Sequence, residues 1–180
     1  MVQKPERKQG HIDFVPCAFA YAWATHSMIK MPKETLIQLY KRDLVKLEEE
    51  VGLYAKEAEL WTTTGEISNS SGNLTLHLIG NLKHFIGAVL GSSGFVRDRD
   101  KEFSNAGVSR DELVAEIDAT LSMVITTLET LTDEDFAKTY PIEVFGHPMT
   151  NEFFLIHLAT HLNYHLGQIN YHRRLLATMQ

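Results

Sequence analysis

The sequence predicts an all-α fold, a bundle of four helices, and three features of the chain predict it. Four stretches of roughly fifteen to thirty residues carry apolar residues at three- and four-residue steps, giving each a single apolar side. The connections between them are rich in Gly, Pro, Ser, Thr and Asn. Several of the starts also carry capping residues in the right place. Amphipathic helices of that length share one economical solution, in which the four apolar sides face a common core.

The first helix opens at Pro32, suited to a first helical turn, and its apolar side runs through Leu36, Leu39, Tyr40, Leu44, Leu47, Val51, Tyr54, Ala58 and Trp61. Thr62 to Gly72 reads as a loop and offers Ser70 or Ser71 as the N-cap of a second helix, Asn73 to about Leu90. Gly91-Ser92-Ser93-Gly94 ends that helix, and the charged stretch Arg97 to Glu102 continues the connection. Ser109-Arg110-Asp111-Glu112 is a capping box that starts the third helix, with Leu113, Ile117, Thr120, Leu121, Val124, Leu128 and Leu131 inward. Tyr140 to Met149 holds Pro141, Gly146 and Pro148, too many breakers for a helix, and reads as a short irregular or extended arm. Thr150 caps the last helix, which runs to about Ala177. The connections after the second and third helices run near twenty residues, long enough for an order other than simple up-down-up-down.

At 180 residues and 44% hydrophobic, the chain builds a full core without disulfides or structural metal. A formal charge of −6 and a pI near 5.8, with no basic stripe interleaved with aromatics, argue against nucleic acid as partner and point to a small-molecule substrate. A lone Cys17 excludes internal disulfides and cysteine-rich zinc modules, and no run reaches transmembrane length. Residues 1–30 read as an N-terminal extension dispensable to a domain spanning 31–180. Lys4, Arg7 and Lys8 precede the apolar run Phe14 to Ala24, but Glu6 and Pro16 spoil a secretory pattern, so a cytoplasmic location is expected.

Four of the nine histidines, His157, His161, His165 and His172, fall in one sixteen-residue window of the last helix. Steps of four and seven residues return to nearly the same direction, so these rings and Gln168 share one side, within about 40° of one another on either side of His161. That side borders the buried face, where polar rings are costly unless hydrogen-bonded or holding something. His161 and His165, four apart, suit two ligands on one ion, and a third is expected from a facing helix. The second helix supplies one in its own polar stripe of Asn73, His77, Asn81 and His84. Spacing alone leaves His157 as an alternative to His161, and His84 as an alternative to His77. Imidazole serves zinc, nickel, copper and iron alike. The competing reading is a bundle whose histidines are hydrogen-bonded core.

The segments Asn73-Leu74-Thr75-Leu76-His77-Leu78, with Gly80-Asn81-Leu82, and His157 to Ile169 resemble the DinB/YfiT superfamily of metalloenzymes, over roughly Met31 to Ala177. The stretch Arg97 to Phe103 resembles an uncharacterised subgroup. The resemblance implies a four-helix bundle in non-sequential order, with a divalent ion, zinc or nickel, between His77, His161 and His165. It also implies a metal-dependent enzyme that activates a thiol or a water: a thiol S-transferase using a low-molecular-weight thiol first, a metal-dependent hydrolase second. A non-catalytic metal-binding bundle is the remaining alternative. Arg97 and Arg99 are candidates to clamp a substrate carboxylate, or else pair with the neighbouring acids. Asn81 and Gln168 are candidates to orient a ligand histidine or a substrate. His172, beside Arg173 and Arg174, is expected to complement the helix dipole. A homodimer stands beside the monomer as an open expectation.

Overall fold

The computed structural model describes residues 33–178. The expectations for residues 1–30, for Cys17 and for Pro32 lie outside that range. The described chain is all-α. Its helices are α1 (Lys33–Gly52), α2 (Ser71–Leu82), α3 (Arg99–Ser104), α4 (Arg110–Thr130), α5 (Asp133–Ala137) and α6 (Asn151–Ala177). A 3-10 turn, Glu57–Trp61, lies between α1 and α2, and a π-helical segment, Lys83–Ala88, extends α2.

The apolar steps become the core. Leu36, Tyr40, Leu44, Leu47 and Val51 of α1 are buried, as are Leu113, Ile117, Val124 and Leu128 of α4 and Phe154, Leu155, Leu158, Leu162, Leu166 and Ile169 of α6. The main pairings set α1 along α4 and α6, and α2 along the same two helices. Among the described elements, sequence neighbours α1 and α2 pair mainly with α4 and α6 rather than with each other, and α2 also packs on α3. Tyr40 fixes the α1–α6 pairing by donating its hydroxyl to the Leu155 carbonyl at 2.8 Å.

Three elements differ from the sequence reading. The first helix stops at Gly52 rather than Trp61. The chain then turns Tyr54 inward, where its hydroxyl bonds Ser71 Oγ and His172 Nδ1, the latter at 2.9 Å. A straight helix would hold Tyr54 away from both. The second helix loses α register at Lys83, so His84 leaves the line that starts at Asn73. Two short helices emerge from what reads as connection: α3, capped by Asp98, and α5, opened by a Thr132–Asp135 capping box. The arm is extended where it meets α6: Thr139 bridges Thr150, Tyr140 N donates to Met149 O at 2.8 Å, and Asn151 N donates to Lys138 O at 2.9 Å.

His172 is a correction too. It is buried, accepts at Nδ1 from the Ser71 hydroxyl at 2.9 Å, which in turn accepts from Tyr54, and donates from Nε2 to the Thr62 carbonyl at 3.0 Å. It ties the chain after α1 to α6 instead of facing solvent at a helix end.

Among the described residues, no helix is long and apolar enough to cross a membrane. One charged pair is deep in the α1–α6 seam. Glu50, 1% exposed, accepts from Arg173 Nε at 2.7 Å and Asn170 Nδ2 at 2.8 Å, with Lys46 at 3.4 Å. Burial pushes its carboxyl up, but the bonds from Arg173 and Asn170 outweigh it and hold the group below the ordinary carboxylate value. A depressed folded value contributes stability that is present above the unfolded value of about 4.3 and is lost as pH falls through the folded one. Urea melts at pH 7 and pH 3 are expected to show a smaller acid loss for Glu50→Gln than for the parent chain. Equal losses would remove Glu50 from the account.

Candidate metal centre

Three histidines from two helices converge. His77 of α2 and His161 and His165 of α6 each present a ring nitrogen, and the three nitrogens lie within 4.8 Å of one another. His161 Nε2 is 3.1 Å from His165 Nε2 and 3.4 Å from His77 Nε2. Among the described residues this is the one cluster of histidine, cysteine and carboxylate groups close enough to share an ion.

What fixes each ring decides what it can offer. His165 Nδ1 lies 2.6 Å from Gln168 Oε1, and Gln168 in turn donates to the Tyr164 hydroxyl at 3.2 Å. An amide oxygen only accepts, so Nδ1 carries the proton and Nε2 is left with its lone pair. His77 Nδ1 lies 2.9 Å from Glu102 Oε2. A carboxylate likewise accepts, so His77 Nδ1 carries a proton and Nε2 is the atom turned to the centre. His161 Nδ1 is buried with no protein partner. Burial, then the neighbouring His165, His77, His157 and Arg97, push His161 down to about 4, so its ring is neutral at physiological pH.

Three facing nitrogens thus share at most one proton, which hydrogen bonding cannot satisfy. A cation can, because neutral imidazoles offer lone pairs without repelling it. Two nitrogens each about 2.05 Å from a tetrahedral ion stand about 3.3 Å apart, and the two separations here bracket that figure. The donor set fits a divalent ion of the borderline class, zinc and nickel included.

Glu102 is the residue the sequence reading missed as a part of this site. It reads as one acid in a solvated charge run, yet it is 6% exposed, and Arg97 grips it with Nε to Oε1 at 2.6 Å and Nη2 to Oε2 at 2.8 Å. Burial raises the Glu102 carboxyl, and the bonds from Arg97 and His77 more than offset it, holding the group ionised. Asn73, the first member of the α2 polar stripe, pins α3 in place by donating Nδ2 to the carbonyls of Glu102 at 3.1 Å and Asn105 at 2.8 Å. Gly80 completes the cradle: a Cβ there would fall on the Glu102 carboxylate, 2.9 Å from Cδ. An Asp one residue before a short charged stretch was the available signal, since Asp98 caps α3 and sets the face that Glu102 presents.

The remaining candidates separate cleanly. Gln168 holds His165, and Arg97 turns its guanidinium onto Glu102. Arg99 is exposed and lies over the Phe103 ring at 5.3 Å. Asn81 is buried one turn beyond His77, with Oδ1 lacking a protein partner. His157 stacks beside His161 at 6.2 Å, and His84 packs on Phe85; neither belongs to the triad.

Residues 33–180 match the model of a family described as a protein of unknown function (DUF1572). Two solved structures share the fold. A DinB-like protein from Bacillus cereus ATCC 10987 is 19% identical, with 80% of this chain and 92% of that one covered at a TM-score of 0.63. A conserved protein from Enterococcus faecalis is 18% identical, with 83% and 99% covered at a TM-score of 0.63. No curated protein matches the chain.

Proposed function

The chain belongs to the DUF1572 family and has the fold of DinB-like proteins, and from that premise we propose that it is a divalent-metal-dependent enzyme whose ion is held by His77, His161 and His165. The reaction proposed joins a low-molecular-weight thiol through its sulfur to an electrophilic small molecule: the S–H proton is released, a carbon–sulfur bond forms, and the electrophile's leaving group departs with the electron pair of the bond that breaks. The observation that carries the metal reading is the convergence of three histidine Nε2 atoms from two helices, with separations of 3.1 and 3.4 Å from His161.

When bound, a zinc or nickel ion there supplies a Lewis acid that holds a thiol as thiolate, or a water as hydroxide, near neutral pH. The rest is done by the chain. Glu102 and Gln168 keep the protons of His77 and His165 on Nδ1, so both Nε2 atoms stay free to bind. Arg97 keeps Glu102 ionised and aligned through Nε and Nη2, a positioning task. The core beneath His161 excludes water from one side of the centre. Three protein ligands leave a further position for substrate, which distinguishes an open site from a closed structural one. The resemblance of the His77 and His157–Ile169 segments to the DinB/YfiT superfamily is what favours thiol over water as the group activated.

Protein purified without a nickel column is expected to carry about one divalent ion per chain, read by plasma emission, and the His161→Ala, His165→Ala double variant is expected to carry none. Metal-free parent protein of unaltered stability would sink the proposal. With metal present, consumption of an electrophilic substrate is expected only when thiol is added. Consumption without thiol would assign the activated group to water and the enzyme to the hydrolases.

A further inference from the structure

A recess of about 550 Å³ opens beside His165, between the loop before α2, the start of α2 and the outer side of α6. Its volume is in the ordinary range for small-molecule sites, about 300–1,000 Å³. We infer that this recess is the subsite for the substrate's organic part, and that it selects an uncharged, aromatic group. The inference rests on the proposed function for the word substrate, though not for the binding itself.

Two observations set the chemistry. The first is charge: none of the described residues lining the recess is Asp, Glu, Lys or Arg. The nearby guanidiniums are committed elsewhere, Arg97 to Glu102 and Arg99 over Phe103. An ionic ligand would shed water here and find no counter-charge, whereas a neutral one loses little. Ser68 and Asn69 at the rim offer the hydrogen bonds that a hydroxyl or amide needs.

The second observation is shape. Tyr164 and Tyr171, seven residues apart on α6, are 64% and 68% exposed, and both line this recess on either side of His165 and Gln168. Ile67 and Leu74 form the opposite, apolar wall. Two large aromatic faces left in solvent at one cleft form a platform on which a ring stacks in offset or edge-on geometry. His165 is shared between the recess and the triad, so a group seated there lies next to the reacting centre.

The test is an amide-resolved NMR titration of the full chain with three probes of one shape: 4-methylphenol, 4-methylbenzoate and 4-methylbenzylammonium. The phenol is expected to bind with a Kd of about 1 mM and to move the signals of Leu74, Gly167 and Tyr171, with both ions at least about tenfold weaker. Tyr171→Ala, which breaks no hydrogen bond that the fold or the triad uses, is expected to weaken the phenol about threefold or more. Phenol shifts located elsewhere, equal binding of the charged probes, or an indifferent Tyr171→Ala would each overturn the inference. Repeating the titration on His161→Ala separates the two readings. Phenol that still seats there supports the subsite whatever the metal content, and phenol that never seats in the metal-loaded parent protein overturns it while leaving the metal centre standing.

Discussion

Gly80→Ala is expected to weaken metal binding by about 10–100-fold without touching a ligand. A Cβ at position 80 would land on the Glu102 carboxylate, which is the far end of a flexible side chain, so the fold survives by moving it. The carboxylate cannot move and still accept from His77 Nδ1 at 2.9 Å and from both Arg97 donors. His77 then loses what sets its tautomer and aim, and such outer partners of metal-binding histidines carry that much affinity. Stability is expected to fall as well, since the displaced carboxylate leaves buried Arg97 without its partner, and the up to about 1 kcal/mol that alanine gains over glycine inside a helix offsets only part of that. Chelator competition and thermal melts on the same samples check both halves. Glu102→Ala should reproduce the affinity loss and destabilise the protein further, because it leaves Arg97 buried without its partner and without the offset that alanine supplies at position 80. Unchanged affinity in Gly80→Ala would mean that Glu102 is structural only.

The two-readout design matters because the centre is assembled from parts that differ in how legible they are. The triad was legible: His161 and His165 at four residues, and His77 on a facing amphipathic stripe, follow from helical geometry that the sequence states directly. The choice of His77 over His84 was legible only through resemblance. The reason is physical, since the helix changes register at Lys83 and a three-and-four count does not survive a π segment. Glu102 was legible only as far as the Asp98 cap, which marks the start of α3 and not its burial. Its burial depends on where a six-residue helix lands, which depends on Asn73 reaching two carbonyls some thirty residues away. Local pattern carries no record of that contact. Arg97 illustrates the same limit, because pairing with a neighbouring acid was among its expected fates, but not that the pair would be buried behind a histidine.

The long helices obey the opposite logic. The Ser109–Glu112 box and the Thr150 cap both form as read, because each bond spans three residues and needs nothing from the tertiary fold. Where the first helix failed, the apolar period itself misled. Tyr54 and Trp61 continue the count past Gly52, yet Tyr54 is buried for a hydrogen-bonded triangle with Ser71 and His172 rather than for the helix stripe. The second helix started where a serine cap was expected, Ser70 accepting from Asn73 N.

Phe154→Ala is expected to be the most destabilising single truncation near the site, at about 3–5 kcal/mol. Phe154 is 1% exposed and meets four rings: Phe85 of the π segment edge-on at 5.2 Å, Tyr140 and Phe145 of the arm at 4.3 Å and 6.0 Å, and His157 stacked at 5.9 Å. Tyr140 is itself tied down by donating its hydroxyl to the Phe85 carbonyl at 2.7 Å, so the walls of the resulting cavity resist collapse and the cost sits at the upper end of that range. For a domain whose total stability is of order 5–15 kcal/mol, this is a third or more of the whole. Urea melts should show a lower midpoint at unchanged slope, and Phe154→Leu should recover most of the difference. A loss below about 1 kcal/mol would show that the arm and the π segment close over the gap, and that the ring cluster is looser than drawn. The substitution also reaches the centre. His157 stacks on Phe154 and beside His161, so removing the phenyl ring leaves His157 held by the edge-on Phe145 ring and loosens it where it borders the triad. Metal affinity in the folded fraction should therefore fall severalfold, but less than in Gly80→Ala, because His157 braces a ligand by packing where Glu102 holds one by a charged hydrogen bond.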